Sequence, residues 1–289
     1  MSLNSSANLD DPPLAAAAPT PADQPVSSSR LEPASAKRNA LMALAVFLTA
    51  YFLALLPRAF DLPLEQVINS YANKSAFIDR LFYDLDTYCT FAGVPVVALI
   101  WGEWFRSEDT ERRARLILGI VAVICAGVLS RGLQHLLATH SRPFYDPALR
   151  FDLPSVLDQT PLNTWNSFPS DHASVFFGLA VMIASIRPRM GLAVFLWLVF
   201  VESARAYSGA HYPSDLIGGA ALGASLVWLV QVPSGTRRLA ATIVDWARMS
   251  PSLFYAAAFF LSYQVATLFG DIRNLSGGFT LVGKIRHLL

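Results

Sequence analysis

The sequence predicts an all-α fold: a polytopic bundle of membrane-spanning helices, with six core helices and a seventh near the C-terminus. Composition is the first observation, because 54% of the 289 residues are hydrophobic and only 15% are charged, whereas an average soluble domain carries about 25% charged residues. The second observation is a series of seven apolar stretches, and the third is the set of basic clusters between them. Together they indicate a polytopic membrane protein.

A helix needs about 20 mostly apolar residues to cross a bilayer, and seven stretches approach that length. They lie at residues 39–57, 86–105, 115–138, 172–187, 190–207, 214–232 and 252–270. The fourth stretch is short, and a tight turn at 187–189 is expected to join it to the fifth. Residues 58–85 mix apolar and charged positions, which favours a helix at the membrane interface over a further span.

The ends of the chain differ from its centre. Residues 1–36 are rich in Ala, Pro and Ser without apolar periodicity. Such a segment cannot bury enough apolar surface to offset its chain entropy, so we expect it to be disordered. Residues 37–250 form the predicted membrane domain, and 251–289 add a further transmembrane helix and a C-terminal tail.

The basic residues predict the orientation, because the cytoplasmic loops of membrane proteins carry an excess of Lys and Arg. The densest group lies in the segment 106–115, and further arginines flank the turn at 187–189. We therefore expect a cytoplasmic N-terminus and an integral protein of the inner or plasma membrane. The loops 138–171 and 208–213 then share the outer face.

Three short motifs in and beside those outer loops carry side chains suited to phosphate. They are Arg142-Pro143, then Pro169-Ser170-Asp171-His172, then Arg205 followed by His211 and Asp215. Guanidinium groups match phosphate oxygens bidentately, and the free N–H groups at a helix start form an anion site. A carboxylate four residues from a histidine can hold its tautomer and leave the other ring nitrogen free to attack. The motifs therefore predict a phosphoryl-transfer site.

Each of these residues also has a simpler interpretation when it is taken alone. Ser170 or Asp171 could be a helix N-cap, Asp215 could cap the sixth helix, and His211 could be an interfacial histidine. The order of the motifs and their common membrane face favour the functional interpretation, because charges in or beside a bilayer are costly.

The three motifs resemble, in order and spacing, the three-part signature of the type 2 phosphatidic acid phosphatase superfamily: Arg-Pro, Pro-Ser-x-His and Arg-x5-His-x3-Asp. Members of that superfamily are membrane lipid phosphatases related to vanadium haloperoxidases. The resemblance covers about residues 86–232. It implies that His211 is the nucleophile that forms a phosphohistidine, that Asp215 orients it, and that His172 is the general acid. It also implies a six-helix all-α core, no metal, no organic cofactor, and a phosphate-binding set of Arg142, Ser170 and Arg205.

The chain departs from that signature at two further predicted phosphate ligands. The family usually has a lysine seven residues before the first-motif arginine, where this chain has His135, and Asp171 fills a position that is often glycine. Arg131 lies one helical turn before His135. It either supplies the missing positive charge or pairs with a carboxylate deeper in the bundle. Glu202, three residues before Arg205, is expected to hold that guanidinium, the alternative being a carboxylate facing water at the membrane edge.

The expected function is hydrolysis of a lipid phosphate or diphosphate at the non-cytoplasmic face. Polyprenyl diphosphate, phosphatidic acid and phosphatidylglycerol phosphate are the substrates that the resemblance suggests. A phosphotransferase that passes the phosphoryl group to a lipid or sugar hydroxyl is the alternative among enzymes, with a haloperoxidase further behind. A lipid-phosphate binder or transporter is the non-catalytic alternative. Net charge of +1 suggests no nucleic-acid partner, and the sequence does not set the oligomeric state.

Overall fold

The computed structural model describes residues 33–156 and 166–272. It confirms the all-α class: those residues form ten α-helices and one 3-10 helix, with no strand among them. The α-helices are α1 (Pro33–Ala54), α2 (Asp61–Asn69), α3 (Ala76–Thr87), α4 (Thr90–Arg106), α5 (Thr110–Leu136), α6 (Asp171–Ile186), α7 (Pro188–Tyr207), α8 (Pro213–Leu229), α9 (Ser234–Met249) and α10 (Pro251–Ala266). The 3-10 helix covers Pro143–Tyr145.

Each predicted apolar stretch coincides with one helix, namely α1, α4, α5, α6, α7, α8 or α10. Three of them, α1, α5 and α7, are long and apolar enough to cross a membrane by themselves. Two pairs, α3 with α4 and α8 with α9, reach that length only together, across bends of 55° and 84°. Because α6 and α10 have only 16 residues each, helix length does not establish the predicted count of six spans plus one.

Three segments differ in detail from the predictions. The stretch 58–85, predicted as one interfacial helix, contains α2 and all of α3 except its last two residues. The helix α9 was not predicted, because charges such as Arg237, Arg238 and Asp245 interrupt its apolar positions. Most of the predicted disordered tail lies outside the described residues, and its last four residues begin α1 at Pro33.

Helix α6 is the centre of the bundle and packs against α4, α5, α7 and α8. Twelve of its 16 residues are buried, as expected for a helix that is apolar on all sides. Helix α8 approaches it closely at Gly219 and Gly223, where an added Cβ would overlap the backbone oxygens of Ser170 and Ser174. These small residues let α8 pack directly against the first turns of α6.

The two ends of the bundle carry different loops. At one end Glu103 pairs with Arg112 at 3.6 Å and with Arg187 at 3.4 Å. Nη2 of Arg248 donates to the backbone oxygen of Glu108 at the same end, at 3.0 Å. The basic segments predicted to be cytoplasmic thus meet there. The segments that hold the three motifs lie at the opposite ends of α5, α6, α7 and α8.

Candidate active site

The three motifs meet where the N-terminal ends of α6 and α8 pack together. The backbone N–H of Ser170 donates to the backbone oxygen of Asp215 at 3.0 Å, which joins the second motif directly to the third. From α5, Oγ of Ser130 and Nε2 of Gln134 donate to the backbone oxygen of Pro169 at 2.9 and 2.8 Å. Helix α5 therefore fixes the start of α6 from the side.

His211 lies in a tight loop between α7 and α8 that folds back onto Arg205. The N–H groups of Ala210 and His211 donate to the backbone oxygen of Arg205 at 2.9 and 3.1 Å. Gly209 has a φ of +72°, and a Cβ at this position would also collide with Phe151. This turn needs glycine, since other residues are strained in the left-handed region. The loop leaves His211 only 1% exposed.

The two ring nitrogens of His211 face different partners. Nδ1 lies 3.5 Å from Oδ2 of Asp215, and Nε2 lies 3.4 Å from Nη1 of Arg142. Burial lowers the pKa of His211 to about 4; Asp215 opposes this shift and Arg142 adds to it. The imidazole is therefore neutral at neutral pH. Its Nδ1 faces the carboxylate of Asp215, and its Nε2 faces the guanidinium of Arg142.

Asp215 is fully buried and is fixed by its own helix. Its Oδ2 accepts a hydrogen bond from the backbone N–H of Tyr212 at 2.8 Å, as part of a capping box that starts α8 after Pro213. Asp215 thus caps the helix, and the capping geometry places its carboxylate beside His211. Its role as the residue that orients His211 stays a prediction.

The two predicted phosphate-binding arginines converge on the two motif histidines. Arg142 is 5% exposed, and its Nη1 donates to the backbone oxygen of Ala210 at 2.7 Å. Nη2 of Arg205 lies 3.2 Å from Nδ1 of His172. With the contact between Arg142 and His211, each histidine has one guanidinium beside it. The two guanidinium groups could therefore hold the oxygens of one phosphate, and this role stays a prediction.

Ser170 takes the simpler of its two predicted roles. Its Oγ accepts a hydrogen bond from the backbone N–H of Ala173 at 3.3 Å and so caps α6. The side chain is fully buried, and its hydroxyl keeps a proton to donate. The contact of Ser170 with phosphate stays a prediction.

The Asp171 side chain is placed differently from its predicted role as a phosphate ligand. Its Oδ1 lies 3.0 Å from Nδ1 of His172, and its Oδ2 accepts from Nη1 of Arg131 at 3.0 Å. An anionic side chain repels a phosphate, and this carboxylate lies beside a ring nitrogen of His172 as the carboxylate of Asp215 lies beside one of His211. Arg131 does pair with a carboxylate, but that carboxylate belongs to the second motif and is not deeper in the bundle.

Two residues beside the motifs were not predicted. Oδ1 of Asp86, in the last turn of α3, accepts from Nη1 of Arg205 at 2.6 Å, so Asp86 takes the role expected of Glu202. Sγ of Cys89 lies 3.4 Å from Nε2 of His172. Glu202 is buried, and its Oε2 has no hydrogen-bond partner in the described part of the chain. Spacing could not reveal Asp86, which lies 119 residues before Arg205.

His135 lies in the last turn of α5, where it is exposed. Its neighbour Gln134 is fully buried and directed at the second motif. The contact of His135 with phosphate therefore stays a prediction.

The site thus combines a neutral, buried imidazole with an orienting carboxylate, a second imidazole with its own carboxylate, and two guanidinium groups. These are the parts that phosphoryl transfer needs: a nucleophile, positive charge at the phosphate oxygens and a proton donor. Over residues 33–156 and 166–272, no group of three His, Cys, Asp or Glu side chains is placed to hold a metal ion.

The sequence is similar to those of known proteins. The sequence model of the PAP2 superfamily matches residues 114–238, which include all three motifs. The bacitracin transport permease protein BcrC of Bacillus licheniformis is 30% identical over 159 residues, which are 54% of this chain and 71% of that protein. An undecaprenyl-diphosphatase of Sulfolobus acidocaldarius is 29% identical over 178 residues, which are 61% of this chain and 79% of that protein.

A solved structure is also similar: the first transmembrane PAP2-type phosphatidylglycerolphosphate phosphatase from Bacillus subtilis. It has 20% sequence identity and a TM-score of 0.46, and the match covers 65% of this chain and 93% of that one. On the sequence matches and the three motifs, this chain belongs to the PAP2 superfamily.

Proposed function

We propose that this chain, a lipid phosphate phosphatase embedded in the membrane, releases phosphate through a phosphohistidine formed at Nε2 of His211. The observation that carries the proposal is the environment of that imidazole. It is neutral and buried, Asp215 lies at Nδ1, and Arg142 lies at Nε2. A site that only bound phosphate would need the arginines but no oriented neutral nucleophile.

The reaction follows in two steps. The Nε2 lone pair of His211 attacks phosphorus, the bond from phosphorus to the leaving oxygen breaks, and His172 gives that oxygen a proton. In the second step His172 takes a proton from water, whose oxygen attacks phosphorus, and the N–P bond breaks to release inorganic phosphate. Asp171 supports the charge on His172, and Asp215 supports the charge that His211 carries while it is phosphorylated.

The proposed substrate is a polyprenyl diphosphate. One relative, of which this chain covers 79%, is named an undecaprenyl-diphosphatase. An apolar groove of about 540 Å³ also lies between α1, α2, α6, α7 and α8. Ala206 and Pro213 line one of its ends, close in sequence to Arg205 and His211. Its α7 wall runs from Phe195 to Ala206, which is about 16 Å of helix and suits a long hydrocarbon chain.

The groove predicts a dependence on chain length. Ala224 lines it 11 residues beyond the start of α8, so Ala224→Phe fills the groove far from the phosphate. We expect kcat/KM for a C55 prenyl diphosphate to fall at least about tenfold, and that for a C10 prenyl diphosphate to stay within about twofold. Phosphate release from the purified enzyme measures both.

The matched control is Ala257→Phe, which places the same ring in a separate apolar cavity beside Trp104. It should affect neither substrate. A preference of the wild-type enzyme for phosphatidic acid or phosphatidylglycerol phosphate would refute the proposed substrate. Equal losses of the Ala224→Phe variant on the C55 and C10 substrates would refute the proposal that the groove binds the prenyl chain. Phosphate that reappears on a lipid or sugar hydroxyl, with none free in solution, would indicate a phosphotransferase.

The site is further proposed to lie at the non-cytoplasmic face. The basic segments around Glu103 occupy the opposite end of the bundle, and such segments favour the cytoplasm. In a Cys89→Ser, Cys125→Ser background, a cysteine at exposed Ala148 should react with a membrane-impermeant maleimide on intact cells. A cysteine at exposed Glu108 should react only after permeabilisation. Labelling in the opposite sense would place the chemistry in the cytoplasm.

A further inference from the structure

A buried acidic cluster lies directly behind Asp215, outside the three motifs. Asp61 and Glu65 on α2 are fully buried, and His140 comes from the segment that precedes Arg142. Nε2 of His140 lies 3.6 Å from Oδ2 of Asp61 and 3.8 Å from Oδ1 of Asp215. The imidazole therefore stands between two carboxylates, one of which faces the nucleophile.

His140 is also fixed on its other sides. Its Nδ1 lies 3.1 Å from Oγ of Ser167 and 3.2 Å from the backbone oxygen of Ser141. Its ring packs edge-on against Tyr212, with 4.6 Å between the centroids. An imidazole held at this many points has one orientation, and Nε2 is the nitrogen that it directs towards Asp215.

Asp61 ties the same cluster to the start of α8. Its Oδ1 accepts from the backbone N–H of Ser214 at 3.0 Å, and its Oδ2 accepts from Oγ of Ser214 at 2.6 Å. Because Ser214 directly precedes Asp215, α2 fixes the turn of helix that presents the orienting carboxylate. This contact brings residues 153 positions apart together.

The charges of the cluster require a cation. Burial raises the pKa of the Glu65 carboxyl to about 9, and the nearby Asp215 and Asp61 add to that rise, so Glu65 is neutral at neutral pH. The carboxylates of Asp61 and Asp215 lie on either side of the imidazole, and a cation between them would attract both. Burial opposes a charge on His140, but contact with Asp61 and the charge of Asp215 raise its pKa above the ordinary value.

We propose that His140 is a cationic positioning residue for the phosphatase reaction. It bridges Asp61 and Asp215, and it keeps Asp215 ionised and directed at Nδ1 of His211. The inference rests on the proposed role of His211. When phosphorus bonds to Nε2, the ring gains positive charge, and the carboxylate at Nδ1 must be anionic to stabilise it. His140 touches neither substrate nor phosphorus, and it acts through Asp215.

The charged and titratable groups around this pair come from several elements. Asp61 and Glu65 face it from α2, and Tyr212 lies against the imidazole from the loop before α8. On the far side, Arg142 faces His211 and disfavours its protonation. His140 is thus the cation on the side of Asp215 away from the phosphate.

The experiment is the pH profile of kcat. In His140→Gln the acid limb, where the pair of His211 and Asp215 takes up a proton, should move to higher pH by about one to three units, because a cation within about 4 Å is lost. At pH values below both midpoints we expect kcat to fall about tenfold for each unit of that shift, and KM to stay within about twofold, since both arginines are unchanged. His140→Lys keeps the charge and should keep the acid limb near its wild-type position.

Glu65→Gln is the matched control, because it replaces one neutral buried group of the same cluster with another. Its acid limb should coincide with that of the wild type. If the acid limb of His140→Gln also coincides with that of the wild type, and its kcat is unchanged, the inference is refuted.

A measurement on the unmodified enzyme covers the case in which His140→Gln does not fold. Hydrogen exchange at the imidazole C2 position, read by peptide mass spectrometry, reports the pKa of His140 in the wild type. A value above the ordinary 6.5 supports the proposal, and a value at or below it refutes the proposal. Trapping of phosphate on His211 tests the proposed function separately. If the phosphoenzyme forms normally but neither the shifted acid limb nor the raised pKa of His140 is found, only the inference about His140 is refuted.

Discussion

His211→Gln is expected to lower phosphate release by at least about 10⁴-fold, the largest effect of any single substitution in this chain. Glutamine resembles the imidazole in size and polarity but offers no nucleophilic nitrogen, so the covalent route is lost while both arginines still bind the substrate. KM or substrate affinity should therefore change little. Asp215→Asn should cost less, about 10²- to 10³-fold, because the nucleophile remains and only its orientation and charge support are weakened.

Two measurements test this expectation. The first is kcat for each purified variant, with a thermal unfolding midpoint and a monodisperse elution profile as the checks that the variant has folded. The second uses a substrate labelled with ³²P, since phosphohistidine survives base and is lost in acid. The wild type should yield label on the peptide that contains His211, and His211→Gln should yield none. Wild-type turnover by a folded His211→Gln enzyme would remove His211 from the mechanism.

His172→Asn is expected to have the second largest effect, and this effect should depend on the leaving group. A lipid alkoxide or phosphate leaves slowly without a proton, whereas p-nitrophenolate leaves readily as an anion. The variant should lose about 10³-fold or more in kcat on the lipid substrate. The rate at which the variant forms the phosphoenzyme from p-nitrophenyl phosphate should also fall, but by a factor at least about tenfold smaller.

The same variant should accumulate the covalent intermediate. His172 is proposed to activate water in the second step. The His172→Asn variant mixed with p-nitrophenyl phosphate should therefore release one equivalent of p-nitrophenol quickly and then stall. The burst amplitude and the ³²P label on His211 measure the trapped species. His211→Gln is the control, since it should show neither a burst nor a label. Equal losses on both substrates, with no burst, would show that His172 does not transfer the proton.

The sequence was most informative about residues whose chemistry depends on local spacing. His211 and Asp215 are four apart, and one turn of chain at the start of α8 is enough to place the carboxylate at Nδ1. The start of α6 is similar, because Ser170 caps the helix and thereby sets the position of His172. Local geometry of this kind is set by backbone dihedral angles and capping, which short motifs specify.

The roles of partner side chains were less predictable. Asp171 was predicted to bind phosphate from its place in a motif, but its carboxylate turns to His172 and Arg131. Glu202 was expected to hold Arg205 because it is near in sequence, but the carboxylate that accepts the hydrogen bond from Arg205 is that of Asp86. The contacts of Asp171 with Arg131 and of Asp86 with Arg205 depend on which helices are neighbours, and hydrophobic periodicity alone does not order helices around a bundle.

Sequence alone therefore determined the all-α membrane class, the seven apolar helices and the three motifs, because hydropathy and spacing are local properties. Only the tertiary structure showed that Asp61, Glu65 and His140 surround Asp215. The physical reason is that α2 carries its carboxylates to a site built from helices some 150 residues later in the chain, and the contact of Asp61 with Ser214 spans 153 positions. Such a contact exists only after the bundle has packed, so no spacing in the sequence records it.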